Sequence, residues 1–475
     1  MRNLSLLTDL YEFSMANGFH HDLPTTNATF DVFYRRVPDA GSFVIAAGLQ
    51  QVIETVRDFH FDDSDLAYFR QLGLWDADFL DYLANFKLDC TLQAVAEGTP
   101  VFPREPLLTV TGPIEQAQLL ETVILNILNH QSLIATKSRR LTFAAAGRPI
   151  MEFGARRAQG PDSAIYGTRA AVIGGAKSTS NVLAAKLFDI PAAGTMAHSW
   201  IEAFPDELTA FRQWAARYPD NSALLVDTYD VLNSGVPNAI TVFKELKRAG
   251  HQPVGIRIDS GDVTILAQQA RKMLNNAGFP EAKITISNAL DETIITSLIQ
   301  QGAPIDNFGI GEKLITSAST PVLSGVYKLA ATELNGHVEP KIKVSASREK
   351  LTIPGRKQVY RLYRKGTKTA FADLIALEDE PVTTTDTLAV FNSDPLSVDH
   401  AHTLSDFDAR ALLEPVTIDT TAISVKTLRA TSQRQLSELP RATQRLVNPD
   451  IYPVYMTAAL SRLQAELLQR ATVKA

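Results

Sequence analysis

The stretch "PAAGTMAHSWIE", residues 191–202, sets one histidine, His198, behind a run of very small side chains. An imidazole can pack, ligate a metal, or carry a proton or a transferred group. A zinc site needs further histidines or cysteines at ligand spacing; none stands nearby, and the single cysteine, Cys90, is remote in sequence. Two readings stay open on the residues alone: a packed structural histidine, or one that a reacting group approaches across the small residues. A second stretch, "EFGARRAQGPDSAIYGTRAAVIGGAKSTSN" (152–181), holds Arg156, Arg157, Arg169 and Lys177 among glycines and hydroxyls, with little acid beyond Asp162. Guanidinium forks and free backbone N–H groups suit phosphate or carboxylate ligands. The plainer reading is a loop whose arginines pair with acids elsewhere.

"IRIDSGD" (256–262) places Arg257 and Asp259 two apart at a strand end, so alternation turns both side chains to one side. They form either a buried ion pair or an anion-binding arginine beside an acceptor for sugar hydroxyls. "FGIGEKLITS" (308–317) puts Gly309 and Gly311 at a strand-to-helix turn, where bare backbone can hold a phosphate or simply make a tight turn. Asp227 and Asp230 in "VDTYD" offer the oxygen ligands that Mg2+ prefers, or are surface carboxylates. His20, His21, His400 and His402 lie in peripheral segments and read as surface residues.

These groups need a scaffold, and the patterning supplies one. Between about 148 and 320, short apolar runs end in small or charged residues and are followed by helical patterns: "RPIMEFG", "ALLVDTYD", "PVGIRIDSGD", "KITISNALDE" and "NFGIGEKLITS" each precede one. Repeated β-then-α units favour parallel strands with crossover helices, open or closed into a barrel. Functional groups then gather at the carboxyl ends of the strands. Those ends carry Phe153-Gly154, Asp227, Asp230, Asp259-Ser260-Gly261-Asp262, Asn288 and Gly309/Gly311. Gly250 and Gly278 fit helix ends.

Around this centre the texture differs. The opening segment has helical spacing, with Thr8 or Asp9 placed as cap and Gly18 as stop. "ATFDVFYRRV" (28–37), "GSFVIAAGL", "TLQAVAEGTPVF" and "EPLLTVTG" read as strands, and 116–146 as one long apolar-faced helix. Strand character returns after about 340, and the C-terminus ends in an amphipathic helix that packs or meets another subunit. The expected organisation is an N-terminal sheet and helix domain (1–135), a central catalytic α/β barrel (136–340), and a C-terminal segment (341–475) that rejoins the first domain. A charge of −6 argues against nucleic-acid binding. The opening apolar stretch is interrupted by Asp9 and Glu12, unlike a signal peptide, and no apolar run approaches the ~18 residues of a membrane span. A cytoplasmic protein is expected.

"LLTDLYEFSMANG", "FYRRVP", "EFGARRAQG", "GGAKSTSNVLAAKLFDIPAAGTMAHSW", "LLVDTYD", "IRIDSGD", "ISNALDE", "FGIGEKLITS" and "LSGVYKL" occur in that order between about residues 6 and 345. Together they resemble the nicotinate phosphoribosyltransferase family. The resemblance implies a type II phosphoribosyltransferase fold, an irregular α/β barrel beside an α+β sheet domain built from both chain ends. It implies that nicotinate and phosphoribosyl pyrophosphate (PRPP) give nicotinate mononucleotide and pyrophosphate in NAD biosynthesis, coupled to ATP hydrolysis, with Mg2+ required.

It implies, further, a homodimer in which Tyr11 of one subunit faces the neighbour's active site. Phe153 would stack on the pyridine ring, opposite Tyr11, and Arg257 would hold the carboxylate end of the base, with Arg156 nearby. Asp259 would bind the ribose hydroxyls. Gly309 and Gly311 would hold the 5′-phosphate, with Ser260 and Gly261 at the same strand-end loops. Arg35, and Lys137 or Arg139, would lie near the pyrophosphate. His198 would be the phosphorylated residue. Thr179, Ser180 and Asn181 offer hydroxyls and an amide with no acid among them, which favours a nicotinate carboxylate over an amide. The related nicotinamide enzyme, a sugar-phosphate aldolase or isomerase, and a non-catalytic homologue remain as alternatives.

Overall fold

In the computed structural model, residues 3–382, 387–397, 401–418 and 422–474 are described. The central apolar runs form six parallel strands, in the sheet order Ser178–Thr179, Ile150–Glu152, Asn307–Ile310, Lys283–Asn288, Gly255–Ile258, Ala223–Leu225. Leu224, Leu225, Ile256, Ile258, Ile284, Ile286, Phe308 and Ile310 are fully buried, as expected where crossover helices cover a parallel sheet. The two outermost strands do not pair with each other, so the sheet is a curled half-barrel. Helices begin where a side chain accepts from their free N–H groups: Asp262 from Ile265, Asp291 from Ile294, Asp206 from Thr209. Gly250 and Gly278, at φ +88° and +85°, follow helix ends as expected.

The chain divides into two compact units. One comprises Met1–Leu133, Val322–Ile423 and Ala430–Ala475; the other comprises Ile134–Pro321 with Ser424–Arg429. The first unit is built from both chain ends. Asn27–Tyr34 pairs antiparallel with both Leu108–Pro113 and Gly325–Leu334. A further sheet joins Lys357–Arg364, Ala370–Leu377 and Val454–Thr457. Phe13, Phe61, Phe69 and Trp75 pack on one another in its core.

Three local expectations change. The opening helix, Leu10–Asp22, runs through Gly18, where nothing crowds or bends the backbone; Asp9 occupies its cap position without a side-chain bond. The expected helix 116–146 is two, Ile114–Gln118 and Glu121–Ala144. The first expected strand ends at Tyr34 rather than 37. His20 and His21 lie 3.3 Å and 2.9 Å from Asp78 and Asp76, and His402 is exposed; His400 lies outside the described residues. No described helix is long and apolar enough to cross a membrane.

Candidate active site

The carboxyl ends of the parallel strands surround a cavity of about 510 Å3. Phe153 follows the strand Ile150–Glu152, and its N–H donates to the Ile310 carbonyl at 2.8 Å, locking it to the neighbouring strand. That neighbour carries Gly309, where a Cβ would stand 2.6 Å from the Phe153 ring. The ring therefore packs against bare backbone. Gly309 makes room for this aromatic and also lines the cavity. Gly311 lines the cavity and begins the four-residue helix Glu312–Ile315.

Arg257 projects from Gly255–Ile258 while Ile256 and Ile258 point into the core. Its guanidinium donates to the Thr195 hydroxyl and, at 3.3 Å, to the Met196 carbonyl. Its Nε is buried with no hydrogen-bond partner. Burial lowers its pKa from the ordinary guanidinium value, opposed by the nearby carboxylates of Asp259 and Asp227. Arg156, on the turn Ala155–Arg157, is an exposed cation on the same cavity, whereas Arg157 lies 3.7 Å from Glu312. Arg156, Arg157 and Arg257 all line this one space, which favours an anionic occupant.

Asp259 accepts a hydrogen bond from the Ser287 hydroxyl and keeps its carboxylate about one-third exposed. Its Oδ2 lies 3.9 Å from His198 Nε2. His198 opens the helix His198–Glu202, and its Nδ1 lies 3.1 Å from the Thr228 hydroxyl. The imidazole is thus held at Nδ1 by a hydroxyl, with Nε2 beside the Asp259 carboxylate. Ser180 lines the cavity as expected, and Asn288 holds the unusual φ of +143° there.

Several expected residues stand elsewhere. Thr179 is fully buried, and its hydroxyl donates to Glu152 Oε2 at 2.6 Å, so it does not face the cavity. Glu152 also means that an acid does lie against the segment read as acid-free. Lys137, on the helix Glu121–Ala144, is buried with Nζ 2.7 Å from Glu292 and 2.8 Å from the Ser319 hydroxyl; it does not line the cavity. Arg139 on that helix stacks 4.7 Å from the Phe143 ring, and burial lowers its pKa to about 10. Ser260 donates to Asp227 Oδ2 at 2.7 Å, and Gly261, at φ +82°, makes the turn into the next helix. Tyr11 and Arg35 belong to the first unit. There Tyr11 is exposed, and partial burial and then Glu121 raise its pKa; Arg35 lies 5.4 Å from the Phe33 ring.

Asp230 spends its carboxylate on the N–H groups of Leu232 and Asn233 and on the Asn233 side chain, which makes it a helix cap. Asp227 differs: Oδ2 accepts from Asp259 N–H and Ser260, while Oδ1 is buried with no partner. No group of three or more His, Cys, Asp or Glu among the described residues converges into a metal cage. A Mg2+ that enters on substrate phosphates needs only one or two protein carboxylates, and Asp227 Oδ1 fits that demand. Sequence reasoning missed Thr195, Thr228, Ser287 and Glu152. A hydroxyl carries no periodic signal, and Glu152 stood in plain view inside "EFGARR", overshadowed by its arginines.

A curled, parallel half-barrel with an arginine-lined cavity at its strand ends, in a chain whose other unit is a sheet unit drawn from both termini, is the type II phosphoribosyltransferase fold. The known relatives narrow this further. Family profiles described as nicotinate phosphoribosyltransferase (NAPRTase) N-terminal domain, NAPRTase family and nicotinate phosphoribosyltransferase C-terminal domain match residues 6–129, 149–353 and 356–464. A nicotinate phosphoribosyltransferase of Bacillus subtilis is 41% identical over 457 residues, covering 95% of this chain and 92% of its own. The crystal structure of human nicotinic acid phosphoribosyltransferase matches with a TM-score of 0.83 at 29% identity, over 97% of this chain and 100% of that one. A nicotinate-nucleotide pyrophosphorylase of Pyrococcus furiosus shares the fold at a TM-score of 0.69 and 22% identity, over 92% and 96% of the two chains. The chain belongs to the nicotinate phosphoribosyltransferase family.

Proposed function

We propose that the protein transfers the phosphoribosyl group of PRPP to nicotinate, and that ATP hydrolysis drives this through a phosphohistidine at His198. The observation that carries the reading is a single cavity that holds an aromatic ring seated on Gly309, the Arg156 and Arg257 cations, Asp259 and His198. The pyridine nitrogen of nicotinate is already a nucleophile, so no side chain has to remove a proton from it. Its lone pair forms the bond to ribose C1 while the C1–oxygen bond breaks and pyrophosphate leaves with the electron pair. Phe153 stacks on the ring, Arg257 and Arg156 meet its carboxylate, and Asp259 accepts from the ribose hydroxyls. Asp227, through its unpartnered Oδ1, is the residue that would hold a Mg2+, which would supply charge neutralisation for the departing pyrophosphate.

For the energy coupling, the His198 tautomer that donates its Nδ1–H in a hydrogen bond to the Thr228 hydroxyl, 3.1 Å away, leaves the Nε2 lone pair to take the γ-phosphoryl of ATP as ADP departs. Water later releases phosphate from that nitrogen. The same reading takes the protein as a cytoplasmic homodimer, with Tyr11 of each subunit closing the other's base site. The exposed Leu10, Tyr11 and Met15 on the opening helix support it, since such a face calls for a partner.

The testing assay follows nicotinate mononucleotide with nicotinate, PRPP and Mg2+, with and without ATP. Product that rises with ATP, together with acid-labile phosphate on the protein, is the expected result. Synthesis indifferent to ATP would remove the coupling and leave the transferase.

A further inference from the structure

Directly beneath the cavity floor lies a carboxylate that the reaction does not touch. Glu152 is the last residue of the strand Ile150–Glu152 and is fully buried. Three donors meet it, each from a different segment. The Gly154 N–H donates to Oε1; the Thr168 hydroxyl, on the helix Pro161–Ile173, donates to Oε2 at 2.9 Å; and the Thr179 hydroxyl donates to Oε2 at 2.6 Å. All three are neutral, and among the described residues no lysine or arginine pairs with the carboxylate. A buried charge without a counter-ion is costly, and as a pure core element an apolar side chain would serve better.

What the carboxylate joins explains its place. Gly154 follows Phe153, so the bond to its N–H fixes the peptide that carries the aromatic ring. Thr179 precedes Ser180, and its hydroxyl also accepts from the Asn181 N–H at 2.9 Å, which shapes the opposite lip of the cavity. Asn181 in turn caps the helix Val182–Phe188 and donates to the Ala164 carbonyl at 3.2 Å, returning to the helix of Thr168. Gly154 has no room for a side chain, since a Cβ would lie 2.8 Å from Glu152 Oε1.

We infer that Glu152 is a positioning residue for the base: through Gly154 and Thr179 it sets the spacing between the Phe153 ring and the Ser180 lip. This rests on the reading of the cavity as the nicotinate site.

The test uses the full-length protein with Glu152→Gln, Glu152→Ala and Thr179→Val. Glutamine keeps one acceptor for the Gly154 N–H and turns an amide toward the threonine hydroxyls, which can rotate to accept from it. Glu152→Ala should raise KM for nicotinate about tenfold or more and leave KM for PRPP within about twofold; Glu152→Gln should restore it to within about threefold of wild type. Thr179→Val should move the same KM in the same direction by less, and it keeps the comparison open if the alanine variant fails to fold. A crystal structure of Glu152→Ala should show the Phe153 ring displaced from Gly309, and one of Glu152→Gln should show it in place. Equal losses on both substrates, or a ring still seated on Gly309 with nicotinate KM unchanged, would overturn the inference. A wild-type protein that does not use nicotinate would instead defeat the functional reading, and the ring position would still decide the role of Glu152.

Discussion

At the scale of single residues, His198 tests the proposed energy coupling and Gly309 tests the proposed base site. His198→Ala should lose ATP stimulation and acid-labile labelling by ATP while some PRPP-dependent synthesis survives, because the aromatic ring and cations remain. Full ATP stimulation in that variant would make His198 a packing residue. Gly309→Ala adds a methyl group 2.6 Å from the Phe153 ring and so must displace it. We expect roughly a tenfold or greater fall in kcat/KM for nicotinate in steady-state assays, since small misplacements of a reacting partner cost that much. The arginines, Asp259 and His198 were legible in the sequence because charged and imidazole groups at strand ends stand out. Thr179 was misplaced because successive residues of its short strand face opposite sides, and nothing in composition tells which one faces the cavity. Lys137 was misplaced because its partner Glu292 is more than 150 positions away, so no local pattern marks it as paired.

At the scale of elements, the adjacent strands Lys357–Arg364 and Ala370–Leu377 share a fully buried ion pair. Arg361 meets Asp373 at 2.7 Å and 3.0 Å. Arg361→Ala would leave the aspartate charge buried and uncompensated, lowering stability by about 3–5 kcal/mol in a denaturant titration. On the helix Glu121–Ala144, the His130 Nε2 is buried without a partner, and burial lowers the imidazole pKa below its ordinary 6.5. Below pH 6.5 the unfolded chain binds a proton that the native state refuses, so stability falls as pH drops through the window between the two pKa values. His130→Gln should flatten the slope of melting temperature against pH between about 5 and 7 relative to wild type. Parallel strands and capped helices were readable because apolar runs and aspartates before helices leave local marks. The break between the helices ending at Gln118 and starting at Glu121 was not, because apolar periodicity continues across it.

At the scale of the whole molecule, the return of strand character after residue 340 pointed to a first unit made from both chain ends, and Glu414–Pro415 does join the sheet of Asn27–Tyr34; that sheet also takes Gly325–Leu334 and His337–Pro340, which were expected in the barrel. What no local pattern could convey was sheet order, in which Ile150–Glu152 pairs with Asn307–Ile310 across more than 150 intervening positions. That pairing seats Phe153 on Gly309. Cys90 is buried with its pKa raised by burial, so a thiol reagent should modify the native protein only after denaturant is added. If Tyr11 completes a neighbour's site, inactive Tyr11→Ala and Arg257→Ala proteins should regain activity when unfolded together and refolded as mixed dimers; mixtures as inactive as their parents would argue for a self-contained site. The central claim is that this cavity joins an acidic pyridine to PRPP. The most direct measurement supplies nicotinate and nicotinamide at equal concentration in one reaction with PRPP and Mg2+, and separates the mononucleotides. Nicotinate mononucleotide as the dominant product, formed one for one with pyrophosphate, is the predicted result; nicotinamide mononucleotide alone, or neither nucleotide, would contradict it.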